Sequence, residues 1–174
     1  MPKASLSIGA SGAQVPDVSP TITYIYQSDF SEDTDGWSVG VIGNVRGTAG
    51  QTVGGEDDCL SIQGLASAFN YAGVSQKTAP TMTAGTRYYA SVKVYLESGF
   101  DATAYIVLGS GNDRITMWTN ATYDSVPTEE WVTYSTNFVL GTPPSNWSIN
   151  TNSDTTLTTG DVLAIKDLKV YTIT

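Results

Sequence analysis

Beyond residue 20, hydrophobic and polar residues alternate in short runs that end at Gly, Pro, Ser, Asn or Asp. Alternation with a period of two predicts β-strands with one buried face, and no stretch has the spacing of an amphipathic helix. The runs are rich in Val, Ile, Thr and Tyr, which favour strands. The predicted strands span residues 21–27, 37–43, 58–64, 69–76, 86–97, 102–109, 114–120, 129–140, 146–152 and 161–173.

The phase of the alternation predicts which side chains face the core. Within residues 86–97, Tyr88, Ala90, Val92, Val94 and Leu96 are expected inside, and Tyr89, Ser91, Lys93 and Tyr95 outside. The other predicted core positions are Ala104, Ile106, Leu108, Ile115, Met117, Val132, Tyr134, Thr136, Phe138 and Leu140. The other predicted outward positions are Tyr105, Val107, Thr116, Trp118 and Asn120.

Many short strands separated by turn residues predict an all-β protein, a jelly-roll β-sandwich of two antiparallel sheets with an extended N-terminal arm. The predicted jelly-roll domain spans residues 21–174. Residues 1–20 are rich in Ser, Gly, Ala and Pro and have no hydrophobic periodicity. Such an arm has little apolar surface to set against its ordering entropy. We therefore expect it to be an anchoring segment held by a partner, such as a second copy of the chain.

Composition narrows the possible functions. The 174 residues include 17 acidic and 8 basic side chains, a net charge of −9, which disfavours nucleic acid and anionic membranes as partners. Histidine is absent from the sequence, which excludes histidine-dependent catalysis and histidine-containing metal sites. The single cysteine, Cys59, has no partner for an internal disulfide and is expected to be a small buried residue.

The pattern of carboxylates and glycines argues against catalysis. Glycoside hydrolysis uses two carboxylates about 5–10 Å apart, one of them in an apolar environment. Nearly all carboxylates of this chain fall in predicted turns, so no enzymatic activity is expected. The glycines between residues 40 and 55 lie between predicted strands with no following helix, which argues against a phosphate-binding loop.

Four large aromatic residues lie on faces that alternation assigns to solvent: Tyr89, Tyr95, Tyr105 and Trp118. Aromatic rings suit the apolar face of a sugar, and nearby hydrogen-bonding side chains suit its hydroxyl groups. These aromatics, with Lys93, Arg114 and Asn120, are therefore candidate glycan-binding residues. Alternatively, the aromatics are covered by a sheet edge, by the N-terminal arm or by another subunit, since a face assignment can be inverted for any one strand.

The two ends of the domain carry short motifs. Residues 27–37 have the sequence QSDFSEDTDGW, and residues 164–171 have the sequence AIKDLKVY. Together they resemble the N-x-D-F-E…G-W opening and the hydrophobic-Asp-Asp-Val closing strand of carbohydrate-binding modules of families 4, 9 and 22. The resemblance covers residues 22–172 and implies a jelly-roll that binds glycans across a concave sheet. Residues 69–76 resemble a segment of that groove, which adds Tyr71 and Gln76 to the candidate glycan-binding residues.

The same resemblance implies packing roles for Trp37 and Trp131 and a structural calcium near the paired termini. The candidate ligands are Asp29, Asp33, Asp35 and Asp167. Ser31 and Lys166 replace two acidic residues of the family pattern, and Ile42 stands where an EF-hand loop would end in Glu. Solvated acidic loops are the alternative, and no other cofactor is expected.

Two functional hypotheses follow. The chain begins with Met and shows neither an export signal nor a catalytic segment, so we expect a surface-exposed virion protein, such as a bacteriophage capsid decoration, fibre or tail protein, that binds glycans. Its expected partners are other virion proteins or copies of itself in a homo-oligomer, and its expected location is the virion surface. The alternative is an extracellular glycan-binding module, stand-alone or excised from a carbohydrate-active enzyme.

Overall fold

The computed structural model describes residues 19–39, 45–64, 72–100, 104–108, 115–119, 127–151 and 162–174. For residues 38–39, 45–46, 64, 72–76, 104–105, 118 and 150–151 it describes the backbone alone. The regular elements in these ranges are strands: β1 (Ile22–Gln27), β2 (Ser38–Val39), β3 (Val45–Val53), β4 (Glu56–Gly64), β5 (Ala72–Thr78), β6 (Arg87–Leu96), β7 (Ala104–Leu108), β8 (Ile115–Thr119), β9 (Trp131–Val139), β10 (Asn146–Thr151) and β11 (Val162–Ile173). Within the described ranges, no helix is long and apolar enough to cross a membrane.

The strands form two antiparallel sheets, as the alternation predicts. Sheet A has six strands in the order β3-β4-β11-β6-β9, with β1 paired to β11, and sheet B has five in the order β2-β5-β10-β7-β8. Strand β11 is the central strand of sheet A. Along one edge its first half pairs with β4 and its second half with β1, and along the other edge it pairs with β6. The predicted arm, residues 1–20, lies almost wholly outside the described residues, and its anchoring role stays a prediction.

The core between the sheets follows the predicted alternation in β6 and β9. In β6, every second residue from Tyr88 to Leu96 is at most 3% exposed. In β9, Phe138 is buried and Tyr134 packs against the core, whereas Thr133, Ser135 and Asn137 are exposed. Outside these strands, Trp37, Trp147 and the free Cys59 are also buried, as expected.

Two sequence-based expectations fail. Val107 was expected to be exposed but is only 1% exposed, although the alternation holds in β7, since Ile106 and Leu108 join the core cluster and Val107 does not. Strand β3 falls in a glycine-rich segment that the sequence predicts to lie between strands. The segment is a strand because it pairs with β4 from Val45 to Val53; Gly50, at φ +63°, lies in the register shift between Thr48 and Gln51 and donates its N–H to Phe30 O at 2.6 Å.

Candidate functional site

The predicted glycan-binding residues are divided between the two sheets. Tyr89, Lys93 and Tyr95 lie on β6 of sheet A, whereas Gln76, Tyr105 and Trp118 lie on β5, β7 and β8 of sheet B. Tyr71, Arg114 and Asn120 lie outside the described residues. The structure therefore does not bring the predicted set together on one surface. Alternation assigns a side chain to a face of its strand but cannot tell which sheet the strand joins.

In sheet B, two of the predicted positions lie on β5 and β7, the two strands that flank β10. Tyr105 pairs with Asn150 on one side and Thr119 on the other. Gln76 pairs with Ser148, which in turn pairs with Val107, and this row lies two positions from the Tyr105 row, with Ile149 and Ile106 between them. Trp118 pairs with Ile106, one position from the Tyr105 row. The backbone thus places Gln76 and Tyr105 within two rows of one sheet, and the glycan contact of each stays a prediction.

On sheet A, the turn between β3 and β4 folds back across the outer face. We call residues 53–58 the hairpin tip. Although β3 and β9 are opposite edges of the sheet, Trp131 Nε1 of β9 donates a hydrogen bond to Val53 O at 2.9 Å. Ala164 in β11 is fully buried between two residues of the inner face, which is consistent with the tip covering its outer side.

Gly54 allows the hairpin tip to approach the aromatic residues beneath it. A Cβ at this position would lie 2.4 Å from Tyr95 Cε2 and 2.9 Å from Trp131 Nε1, closer than atoms can pack. Gly54 and Gly55 have φ values of +54° and +79°, which suit glycine in a tight hairpin turn. The Gly-Gly dipeptide is the sequence signal for this turn, but nothing local in the sequence indicates that the tip folds onto Tyr95.

Two lysines anchor the tip electrostatically. Lys93 Nζ lies 3.0 Å from both carboxylate oxygens of Glu56, and Lys166 Nζ donates to Asp57 O at 2.6 Å. The hydrogen bond from Lys93 lowers the pKa of Glu56, and the same bond raises the pKa of Lys93. Lys93, predicted to contact glycan, is thus engaged with the tip in this structure.

At the opposite end of the same face, tyrosines form a ladder across three strands. Tyr24 pairs with Tyr171, and Tyr171 pairs with Tyr89. The ring centroids are 5.7 Å apart at both steps, and the planes of Tyr89 and Tyr171 differ by only 16°. Tyr89 and Tyr171 are therefore stacked face to face, whereas Tyr24 meets Tyr171 edge to face, with an interplanar angle of 61°. We call this region, with the exposed Ile22, Ile173 and Val139, the tyrosine end.

The candidate calcium ligands are held by other groups. Asp29 Oδ1 accepts hydrogen bonds from Ser31 N and Oγ, at 3.1 and 2.7 Å, which lower the pKa of Asp29, with the hydroxyl contributing most. Asp33 Oδ1 accepts from Asp35 N at 2.6 Å. Asp167 lies 3.6 Å from Lys93 Nζ and 3.9 Å from Lys169 Nζ. Since ammonium groups already neutralise Asp167, these residues do not fit the calcium centre that the resemblance implies.

Asp35, the fourth candidate ligand, belongs to a half-buried hydrogen-bond network. Its carboxylate accepts a short hydrogen bond from Tyr26, whose hydroxyl in turn accepts from Trp37 Nε1 at 3.0 Å. Burial, followed by the bond to Asp35, raises the pKa of Tyr26. Lys77 Nζ lies 3.7 Å from Asp35 and 4.9 Å from the centre of the Tyr26 ring. Among the residues that the structure describes, no cluster of three or more acidic or Cys side chains could hold a metal ion.

Comparisons with known proteins identify a family and several structures that this chain resembles. Residues 23–158 match the model of a family described as a carbohydrate binding domain. The C-terminal family 22 carbohydrate binding module of Clostridium thermocellum Xyn10B superposes with a TM-score of 0.58 at 15% identity, covering 86% of this chain and 92% of that module. A structure described as a xylan-binding domain from family 22 gives a TM-score of 0.56 at 16% identity, covering 86% and 94%.

A two-module structure is also similar. It comprises the N-terminal family 22 and catalytic modules of Clostridium thermocellum xylanase 10B in complex with xylohexaose. It gives a TM-score of 0.54 at 15% identity and covers 85% of this chain and 28% of that one. A comparison with curated proteins gave no match. The predicted jelly-roll of two antiparallel sheets is confirmed, and this chain belongs to the carbohydrate binding domain family.

Proposed function

We propose that this chain is a non-catalytic glycan-binding module that takes β-linked polysaccharides of the xylan type. The observation that carries the proposal is the family match over residues 23–158, since the family is defined by carbohydrate binding. Two similar structures support xylan as the first ligand to try, because one is described as xylan-binding and another contains xylohexaose. The alternative drawn from the sequence, an extracellular module of a carbohydrate-active enzyme, fits these neighbours.

Sheet B is the surface we assign to the glycan. The positions of Gln76 and Tyr105 there lie two rows apart on β5 and β7, with β10 between the two strands. An aromatic ring beside amide and hydroxyl groups suits both the apolar face and the hydroxyl rim of a sugar. On the outer face of sheet A, by contrast, the rings of Tyr89 and Tyr171 stack on each other, and the hairpin tip lies over the ring of Tyr95.

Isothermal titration calorimetry with xylohexaose tests the proposal. Tyr105→Ala is expected to weaken binding about tenfold or more, a loss of about 1.4 kcal/mol. Tyr89→Ala, an equivalent truncation on sheet A, serves as the matched control and is expected to leave the affinity unchanged. Loss of binding in the control variant instead would move the site to sheet A. If the unmodified protein binds none of xylohexaose, cellohexaose and laminarihexaose with a Kd below about 1 mM, the proposal fails.

The non-catalytic part of the proposal is tested separately. Incubation of the protein with xylan is expected to release no reducing sugar above that of a buffer control. Release that scales with protein concentration, and that survives repeated purification, would show that the module is an enzyme.

A second candidate, an assembly role such as that of a virion surface protein, is favoured by one observation. Among the side chains that the structure describes, the exposed large hydrophobic ones are Ile22, Tyr24, Val139 and Ile173, and all belong to β1, β9 and β11 at the tyrosine end. Clustered exposed apolar surface is typical of a protein contact. We therefore propose copies of the same chain, or another protein of the particle, as partners there, with residues 1–20 as the anchor.

Analytical ultracentrifugation tests this assembly role. A concentration-dependent oligomer that Tyr24→Ser disrupts would support contact through the tyrosine end, and deletion of residues 1–20 would show whether the arm contributes. If the protein is a monomer at every concentration and does not bind virus particles, the assembly role is wrong and glycan binding is the only proposed function that remains.

A further inference from the structure

A cavity of about 330 Å³ lies between the hairpin tip and the outer face of sheet A. The end of β3 and the turn form one wall, through Gln51, Thr52, Val53 and Gly54. The sheet forms the other wall, with residues from three strands and the end of β6: Ser61, Gln63, Val162, Tyr95 and Glu97. The cavity exists because the tip is held above the sheet by Trp131 at one end and by Lys93 and Lys166 at the other.

The sheet wall of this cavity carries hydrogen-bonding groups that the protein itself does not use. Within the described part of the chain, the structure gives no hydrogen bond to the side chains of Ser61, Gln63 or Glu97, nor to the Tyr95 hydroxyl. On the other wall, Gln51 Nε2 donates to Ala49 O at 3.0 Å and Thr52 Oγ1 donates to Asp57 at 2.6 Å. A hydroxyl, an amide, a phenol and a carboxylate are thus available side by side.

The charge of the lining limits the ligand. Among the lining side chains that the structure describes, Glu97 is the one carboxylate and none is a lysine or arginine. These described side chains offer no positive charge to an anionic ligand, and one carboxylate is too few for a hard cation. A neutral ligand with many hydroxyl groups matches both the donors and the acceptors of the wall. Pockets for small ligands begin at about 300 Å³, so this one accommodates one or two sugar units.

We propose that this cavity is a second saccharide subsite, separate from the sheet B surface and able to take one or two sugar units of a glycan. Gln63, Ser61 and the Tyr95 hydroxyl bind hydroxyl groups of the sugar, and Glu97 accepts from a further hydroxyl. The proposal rests on the proposed function for its ligand class but uses none of the sheet B residues. It makes the module bivalent for a glycan, since the two sites lie on different sheets.

The experiment is a nuclear magnetic resonance titration of ¹⁵N-labelled protein with xylohexaose, cellohexaose and laminarihexaose, each to about 10 mM so that millimolar sites are detected. The Tyr105→Ala variant is titrated in parallel, so that the sheet B site is weakened. Expected shifts include the backbone amides of Gly54 and Gly55 and the side-chain amide of Gln63, and they persist in Tyr105→Ala. Gln63→Leu and Ser61→Ala, each checked for unchanged Tm, are expected to weaken the response at Gly54 by about fivefold or more.

The outcomes separate the two sites. Shifts confined to β5, β7 and β10 would overturn the second subsite and leave the proposed function intact. Shifts confined to the cavity would support the subsite and overturn the assignment to sheet B. Shifts at Gly54 that neither Gln63→Leu nor Ser61→Ala changes would overturn the subsite as assigned here, because its hydrogen-bonding wall would have no role. No shift with any of the three oligosaccharides would overturn both proposals.

Discussion

The two ends of the outer face of sheet A carry similar aromatic residues in different surroundings. At the hairpin end, Tyr95 and Trp131 lie beneath the hairpin tip, which is bound to the sheet by Trp131, Lys93 and Lys166. At the tyrosine end, Tyr24 is 52% exposed and the ladder of rings has no such cover among the described residues. An outward aromatic residue on a strand can therefore either pack within the protein or remain exposed for a ligand. Which of the two occurs depends on whether a segment distant in sequence covers the residue.

The largest expected effect comes from the glycine that brings the tip onto the aromatics. Gly54→Ala places a Cβ against the Tyr95 ring, whereas Gly55→Ala introduces the same positive-φ strain with nothing within 4 Å. We expect Gly54→Ala to lower the free energy of unfolding by about 3 kcal/mol and Gly55→Ala by about 1 kcal/mol. Urea denaturation measures both. Equal losses in the two variants would mean that the tip does not press on Tyr95.

The next effect comes from the hydrogen bond that crosses the sheet. Trp131→Phe removes the donor to Val53 O and leaves that carbonyl without its partner. The expected loss of stability is about 1–2 kcal/mol. Tyr171→Phe, which removes a polar group from the tyrosine end, is the control and should change stability by less than about 0.5 kcal/mol. If Tyr171→Phe lowers the free energy of unfolding as much as Trp131→Phe does, the two ends of the sheet do not differ in the way described.

The ion pair of Lys93 and Glu56 gives the hairpin end a pH dependence. The pKa of Glu56 is lowered in the folded state. The stabilisation that this carboxylate contributes is therefore present above its ordinary pKa of about 4.3 and is lost as the pH falls through the lowered value. The pKa of Lys93 is raised, so its contribution is present below its ordinary pKa of about 10.4 and is lost as the pH rises through the raised value.

The variant Lys93→Met measures this contribution. Since both side chains are about one-third exposed, we expect Lys93→Met to lower the free energy of unfolding by roughly 0.5–1 kcal/mol at neutral pH. The difference from the unmodified protein should shrink at pH 3. Unfolding free energies at pH 3 and pH 7 check this, and a difference that stays constant would show that the pair contributes through packing alone.

The smallest effect on stability is expected at the tyrosine end. Tyr24→Ser replaces a half-exposed ring and should change the free energy of unfolding by less than about 0.5 kcal/mol. The same change should weaken self-association if copies of the chain meet there. Thermal denaturation at several protein concentrations separates the two effects, because only an oligomer has a Tm that depends on concentration. A large loss at every concentration would mean that this end is also covered.

The sequence was sufficient for the features that depend on local periodicity. Alternation in β6 correctly predicted that Tyr88 and Val92 face the core, because a two-residue period is contained within one strand. The burial of Trp37, which the family resemblance implies, is also found. The family resemblance, which uses both ends of the domain, is confirmed by the family match.

The features that failed depend on pairs distant in sequence. The hairpin tip is held by Trp131, 78 residues from Val53, and by Lys166, 109 residues from Asp57. No local pattern connects such pairs, and the glycines at 47 and 50 favoured a loop over the strand that precedes the tip. The division of Tyr95 and Tyr105 between sheets has the same origin, because strand order is a property of topology rather than of alternation.

A crystal structure of the protein grown with xylohexaose tests the account most directly, because it locates the glycan relative to both faces. We expect sugar density across β5, β10 and β7 of sheet B, with a further unit in the cavity beneath the hairpin tip and with the tip still bound to Lys93. Sugar stacked along Tyr24, Tyr171 and Tyr89, with sheet B empty, would contradict the assignment of the glycan surface and the distinction between the two ends.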